Sequence, residues 1–260
     1  MLLAIDVGNT NTVIGVFDGD NFITDWRIAT VSTWTADDFF VTFKNLFEFD
    51  EHVSLKEIKD VIISSVVPAT IAPLKEMAEK YFKAKPVVVD NKVNTGLKNL
   101  YENPAEVGAD RIVNAAAAYK RYGGPTIVVD FGTATTFCYI TSKGEYCGGI
   151  IVPGIKISMD ALFQRAAKLP KIELKKPPTV IGKNTVNSMQ SGILYGYAAL
   201  VDGLIAKMEK EVGEKCFVVA TGGLAMLVAG ESKKIKEINR MLTIEGLKIV
   251  YELNKKKKKT

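Results

Sequence analysis

Apolar residues fall in short β-branched runs punctuated by Gly, Asp and Asn, and these runs alternate with longer stretches of helical period. Leu2–Asp6, Thr12–Phe17 and Asn21–Ile28 predict a three-stranded meander, with Asp18-Gly19 as a hairpin turn. Thr35 is placed to cap a helix running to Glu48, with Asp37 and Asp38 complementing the dipole in its first turn. A strand over Val61–Val67 ends at Pro68, a helix follows to Phe82, and Pro86–Asp90 reads as a further strand. Residues 91–104 read as loop, and a helix is predicted over Ala105–Tyr122, broken by Gly123-Gly124-Pro125. A second meander starts at Thr126, turns at Ser142-Lys143-Gly144 and continues over Tyr146–Val152. Helices are predicted over Ile157–Lys168, Ser188–Val212 and Leu242–Leu253, with a strand at Cys216–Ala220. This order predicts a layered α/β architecture used twice, with domains over 1–115 and 116–254 and a basic tail over 255–260.

One motif opens both halves. LLAIDVGNTNT carries Asp6, Gly8, Thr10 and Thr12, and TIVVDFGTATT carries Asp130, Gly132, Thr133 and Thr136. Aligned on the aspartates, Gly8 falls on Gly132 and Thr12 on Thr136. A strand, a glycine turn and a second strand let backbone N–H groups approach a phosphate, and hydroxyls add donors. An Asp at the strand end can hold a hydrated cation that offsets phosphate charge. One such turn is an ordinary β-turn; two in equivalent places point to a polyphosphate. Neither GxxxxGK[ST] nor a helix-opening GxGxxG occurs, so the P-loop and dinucleotide-binding classes are set aside. Thr221-Gly222-Gly223 follows a strand and leads into a helix, where bare backbone could lie against a purine.

Composition narrows the chemistry. With 47% hydrophobic and 24% charged residues, the 260-residue chain reads as an ordinary soluble globular protein with a cytoplasmic setting. The net charge of +5 is matched by the tail lysines Lys255–Lys259, so the body is close to neutral and a nucleic-acid partner is not expected. The N-terminus lacks a signal-peptide pattern and no apolar run is long enough to span a bilayer. Cys138, Cys147 and Cys216 form no metal or disulfide spacing, and their apolar β-type surroundings predict burial. His52 is the only histidine and sits in a polar linker, so a proton acceptor has to be a carboxylate. Gly108-Ala109-Asp110-Arg111 interrupts a segment that becomes strongly apolar, which makes Asp110 the best candidate base and Arg111 a fork for an acceptor carboxylate.

The set DxGNTNT at Asp6, YxNPxxxGADR from Tyr101, DFGTATT at Asp130, GGxIxPG at Gly148, Asn184-Thr185 and Thr221-Gly222-Gly223 resembles the type III pantothenate kinases, in order and over most of the chain. The resemblance implies duplicated ribonuclease-H-like domains of the actin-like ATPase class, with mixed sheets around a central cleft. It implies ATP-dependent phosphorylation of pantothenate, the first step of coenzyme A synthesis, by a homodimer using ATP with Mg2+ and a monovalent cation, K+ or NH4+. Carried over by motif, Asp6, Val7, Gly8, Asn9, Thr10, Asn11, Thr12 and Val13 bind ATP, joined by Gly132, Thr133, Gly222 and Gly223. Asp110 is the proton acceptor. Tyr101, Gly108, Ala109, Asp110, Arg111 and Thr185 contact pantothenate, and Asp130 holds the monovalent cation. Three other readings fit the residues: a kinase of the same fold acting on another small alcohol, a non-enzymatic nucleotide switch, and a nucleic-acid binder acting through the lysine tail.

Overall fold

Each meander founds a sheet of the same order. In the computed structural model, which describes residues 1–255, the chain divides into one unit of Met1–Ala117 with the segment from Leu242, and another of Ala118–Met241. In the first, β1 (Leu2–Val7), β2 (Asn11–Asp18) and β3 (Asn21–Ala29) run antiparallel, while β4 (Asp60–Ser65) and β5 (Val87–Val88) extend the other edge in parallel. The order is β3-β2-β1-β4-β5.

Strand alternation decides what each face carries. Leu3, Ile5 and Val7 pack with Phe39, Phe43 and Phe47 of α1 (Ala36–Glu48) and with Leu74, Met77 and Ala78 of α2 (Ile71–Tyr81). The phenylalanines recur every four residues and form one stripe on α1. Thr35 starts that helix with a reciprocal capping box, its hydroxyl accepting from Asp38 N–H and Asp38 accepting from the Thr35 N–H. The opposite face carries Ala4 and Asp6. Gly15 lies across from Ala4 in register, and Ile244 of α7 (Leu242–Lys255) closes on it so tightly that a Cβ there would stand 2.5 Å from Ile244 Cγ2.

The second unit repeats the plan. β7 (Thr126–Phe131), β8 (Ala134–Ile140) and β9 (Glu145–Pro153) are antiparallel, and β10 (Phe217–Thr221) and β11 (Glu237–Ile238) add in parallel. Within the unit the order is β9-β8-β7-β10-β11. Ile127, Val129 and Phe131 pack against Tyr197, Ala198, Val201, Ile205 and Met208 of α5 (Thr185–Val212). The unit is completed by α4 (Ile155–Arg165) and α6 (Ala225–Ala229). A register shift interrupts the second-to-third strand pairing in both sheets, at Val16/Phe17 and at Tyr139/Ile140.

Four expectations change. The helix expected from Ala105 is α3 (Ala109–Tyr122); Pro104–Glu106 instead forms a 3-10 turn, with the Asn103 side chain accepting from Ala105 N–H, and extended Val107 separates the two. The terminal helix, read as part of 116–254, groups with the first unit because it covers β1, β2 and β4. Cys138 and Cys216 are buried as expected, but Cys147 is exposed on β9. A two-residue strand β6 (Lys98–Asn99) lies in the stretch read as loop, and like α6 and β11 it is too short to show a period. The tail read at 255–260 lies outside the described residues, apart from Lys255, which closes α7. Among the described residues no helix is long and apolar enough to cross a membrane.

The burial of Phe43, 0% exposed, predicts that Phe43→Ala lowers unfolding free energy by about 3–5 kcal/mol. Thr35→Ala should cost about 1 kcal/mol. Urea unfolding of the two variants checks both the values and their order.

Candidate active site

In the first unit the β1–β2 connection is a three-residue turn, Gly8-Asn9-Thr10. Gly8 N–H donates to Asn11 O at 3.0 Å, Thr30 Oγ1 donates to Gly8 O at 2.7 Å, and Thr30 N–H donates to Thr10 O at 3.0 Å. Asn9 and Thr10 are exposed at the tip, whereas Thr12 is 1% exposed. Asp6, half-buried near the end of β1, stands beside Ser64 of β4 and Val13 of β2 in register.

The chain leaving β4 connects this turn to Asp110. Val66 N–H donates to Val7 O at 3.0 Å, so the residue after β4 is tied to the last residue of β1. Ser65 and Thr70 fix the bend that follows: Ser65 Oγ accepts from Val67 N–H, and Thr70 Oγ1 donates to Val67 O. Val66 then faces Gly108, where a Cβ would stand 3.7 Å from Val66 Cγ1 and 2.6 Å from Asp110 Oδ1. Only a glycine there leaves the Asp110 carboxylate its place. The first turn of α3 supplies the rest, with Arg111 N–H donating to Asp110 Oδ1 at 2.7 Å and Ile112 N–H to Gly108 O. Burial raises the Asp110 carboxyl above its ordinary range and outweighs the Arg111 N–H and guanidinium, which act the other way. Arg111 itself is 7% exposed.

The first unit thus gathers the Asp6–Val13 turn and Gly108–Arg111 about Val66. Tyr101 stands in the preceding loop, half-buried, its N–H donated to Asn99 Oδ1. Thr30 and Val66 gave no signal in the sequence: Thr30 is twenty residues from Thr10 and joins it only through strand pairing, and Val66 reads as one more apolar residue of its strand.

In the second unit the β7–β8 turn is Gly132-Thr133. It is one residue shorter than the first turn, and this shifts the alignment taken from the aspartates. Thr12 pairs with Val7, and its counterpart is Thr135, which pairs with Phe131; Thr136 pairs with Asp130 and corresponds to Val13. Gly222 lies at φ +92, and a Cβ on it would stand 2.5 Å from Asp130 Oδ1, so a glycine there brings the end of β10 against Asp130. Gly223 follows it into the chain leading to α6. Thr185 is the first residue of α5, whose N-cap Asn184 accepts from Asn187 N–H at 2.8 Å. It lines an open groove of about 720 Å³ with Lys183, Asn184, Leu162, Met189 and Ile193. His52 lies in an exposed turn. Among the described residues no group of three or more His, Cys, Asp or Glu side chains is arranged to hold a metal.

The chain matches the family profile of type III pantothenate kinase over residues 2–207. A type III pantothenate kinase of Exiguobacterium is 56% identical over 256 residues, 98% of this chain and 100% of the relative. One of Syntrophus aciditrophicus is 53% identical over 254 residues, with 98% and 100% covered. Among solved structures, component A of (R)-2-hydroxyglutaryl-CoA dehydratase from Acidaminococcus fermentans superposes with a TM-score of 0.56 at 15% identity, covering 100% of this chain and 99% of that one. A ROK family glucokinase from Streptomyces griseus, solved with glucose and AMPPNP, gives 0.52 at 13% identity, with 97% and 98% covered. These likenesses establish the actin-like ATPase fold expected from the sequence motifs.

A raised carboxyl makes the ionised form costly in the folded state, so that cost is absent below the unfolded pKa and grows as pH rises through the folded one. Asp110→Asn is therefore expected to be more stable than the parent at neutral pH, with the advantage vanishing below about pH 4. Thermal melts of both proteins from pH 4 to 8 check the sign.

Proposed function

The chain belongs to the type III pantothenate kinase family, and from that membership we propose that Asp110 takes the proton of the acceptor hydroxyl during phosphoryl transfer. The enzyme phosphorylates pantothenate with ATP, accompanied by Mg2+, in the first step of coenzyme A biosynthesis. The observation that carries the role of Asp110 is its desolvated carboxylate, joined through Val66 to the end of β1. A carboxylate with raised proton affinity is a stronger base, and the chain's one histidine stands in an exposed turn.

Asp6 through Val13 are assigned to the ATP phosphates, with the exposed Asn9-Thr10 tip presenting backbone donors. With no metal-binding cluster among the described residues, Mg2+ is assigned to the ATP phosphates with Asp6 as its protein contact, a common arrangement for this ion. When bound, it neutralises charge building on the transferring group. Tyr101 and Gly108–Arg111 are assigned to pantothenate, Arg111 supplying a fork for its carboxylate. In the second unit, Gly132, Thr133, Gly222 and Gly223 are assigned to nucleotide, and Thr185 with its groove to pantothenate. Asp130 is assigned to a monovalent cation, K+ or NH4+, for which its carboxylate supplies an oxygen donor. A homodimer fits the exposed apolar residues Ile157, Leu162, Phe163, Val180, Ile181 and Val186 of the second unit. A cytoplasmic setting fits the three free cysteines.

Asp110→Asn is expected to lower kcat at least about 100-fold while the ATP Kd, read by calorimetry, stays within about threefold. Near-parental turnover would remove Asp110 from the role. Replacing potassium by sodium in a coupled ADP-release assay is expected to depress turnover, and Asp130→Asn to remove the difference between the two ions; equal rates in both ions would end the assignment of Asp130.

A further inference from the structure

We infer that Thr30 is the positioning residue of the first phosphate turn, and that the Thr12 hydroxyl shapes this turn instead of binding phosphate. The inference rests on the assignment of the Asp6–Val13 segment to ATP, and within that segment it takes the Thr12 side chain from phosphate contact to support of the turn. Thr30 Oγ1 has one proton, and Gly8 O, a carbonyl, can only accept it. The 3.0 Å contact between Thr12 and Thr30 hydroxyls must then run from Thr12 to Thr30. The result is a directed chain, Thr12 Oγ–H to Thr30 Oγ–H to Gly8 C=O. The proton of Thr12, a residue 1% exposed, is committed inside the protein.

The chain acts on the ligand side through peptide geometry. In a trans peptide the N–H lies opposite the C=O. Pinning Gly8 C=O to the Thr30 side chain turns the Asn9 N–H away from Thr30, and pinning Thr10 C=O to Thr30 N–H does the same for Asn11 N–H. Gly8 N–H is already spent on Asn11 O. Thr30 thereby orients two amides of the turn together, an arrangement suited to an anion.

The second unit shows what happens without this residue. Thr30 pairs with Thr10 one step beyond Asn11↔Ala29, and the matching step beyond Ala134↔Pro153 pairs Thr133 with Gly154. Gly154 has no hydroxyl to offer, and a Cβ on it would stand 2.0 Å from Thr133 O. Thr135, the counterpart of Thr12, is 0% exposed, and its Oγ1 has no hydrogen-bond partner among the described residues. The hydroxyl chain belongs to the first turn.

Steady-state kinetics on Thr30→Val, Thr30→Ser, Thr12→Val and Asp6→Asn test this. Thr30→Val keeps the β-branched shape and is expected to raise the ATP KM about tenfold, the loss of about one net hydrogen bond at the turn, with the pantothenate KM unchanged. Thr30→Ser keeps the hydroxyl and should stay within about twofold of the parent, which also keeps the test open if the valine variant folds poorly. Thr12→Val leaves the Thr30–Gly8 bond in place and should have the smaller effect of the two valines. An unchanged ATP KM in Thr30→Val while Asp6→Asn raises it would overturn the role of Thr30, and so would a larger effect from Thr12→Val. If Asp6→Asn also leaves the ATP KM unchanged, the failure lies with the assignment of the turn to phosphate.

Discussion

A carboxylate taken out of water at the start of a helix, with its own and the next backbone N–H and one guanidinium offsetting only part of the loss, is the interaction on which the proposed site depends. Asp110 is held there from two directions. Its own helix supplies the Arg111 N–H, and Gly108 removes the side chain that would otherwise displace it. Val66 links it to the Gly8–Thr10 turn, because one residue both bonds to Val7 and abuts Gly108. Asp110 and the Gly8–Thr10 turn are therefore linked by a short run of contacts through Val66 within one unit. If Asp110 takes the proposed role, placement of this kind would let proton transfer proceed with little reorganisation of the site.

The two units carry one sheet order and one burial pattern in their opening strands, and they diverge at the turns. The first turn has an extra residue and a hydroxyl chain behind it; the second is tighter, with Gly154 and Gly222 letting backbone close on Thr133 and Asp130. The frame is common to both units, and one residue of turn length with one side chain behind it distinguishes the two turns.

Much of this frame is legible in the sequence because it follows from short-range rules. The meanders show as β-branched runs, α1 as a helix capped by Thr35 with Asp37 and Asp38 in its first turn, and α5 as a helix over Ser188–Val212. The motif residues also stand out as Asp-Gly-Thr turns. What the sequence hides is set by register and by contacts far along the chain. Alignment on the aspartates matches Thr12 with Thr136, since turn length becomes visible only when the strands are paired. Ala105 looks helical by propensity, but the turn that Asn103 caps at its start ends at Val107, which is extended. Cys147 sits in an apolar run whose outward face is exposed. The allotment of α7 to the first sheet follows from Gly15 accepting Ile244, a contact more than two hundred residues apart.

The most direct measurement is the titration of the Asp110 carboxyl itself, followed through its carbon-13 resonance in the ligand-free enzyme and assigned by its loss in Asp110→Asn. Desolvation predicts a midpoint above the ordinary aspartate value of about 4. A midpoint at or below that value would show that Arg111 and the helix terminus outweigh burial, and would contradict the account of Asp110 as a base strengthened by its surroundings.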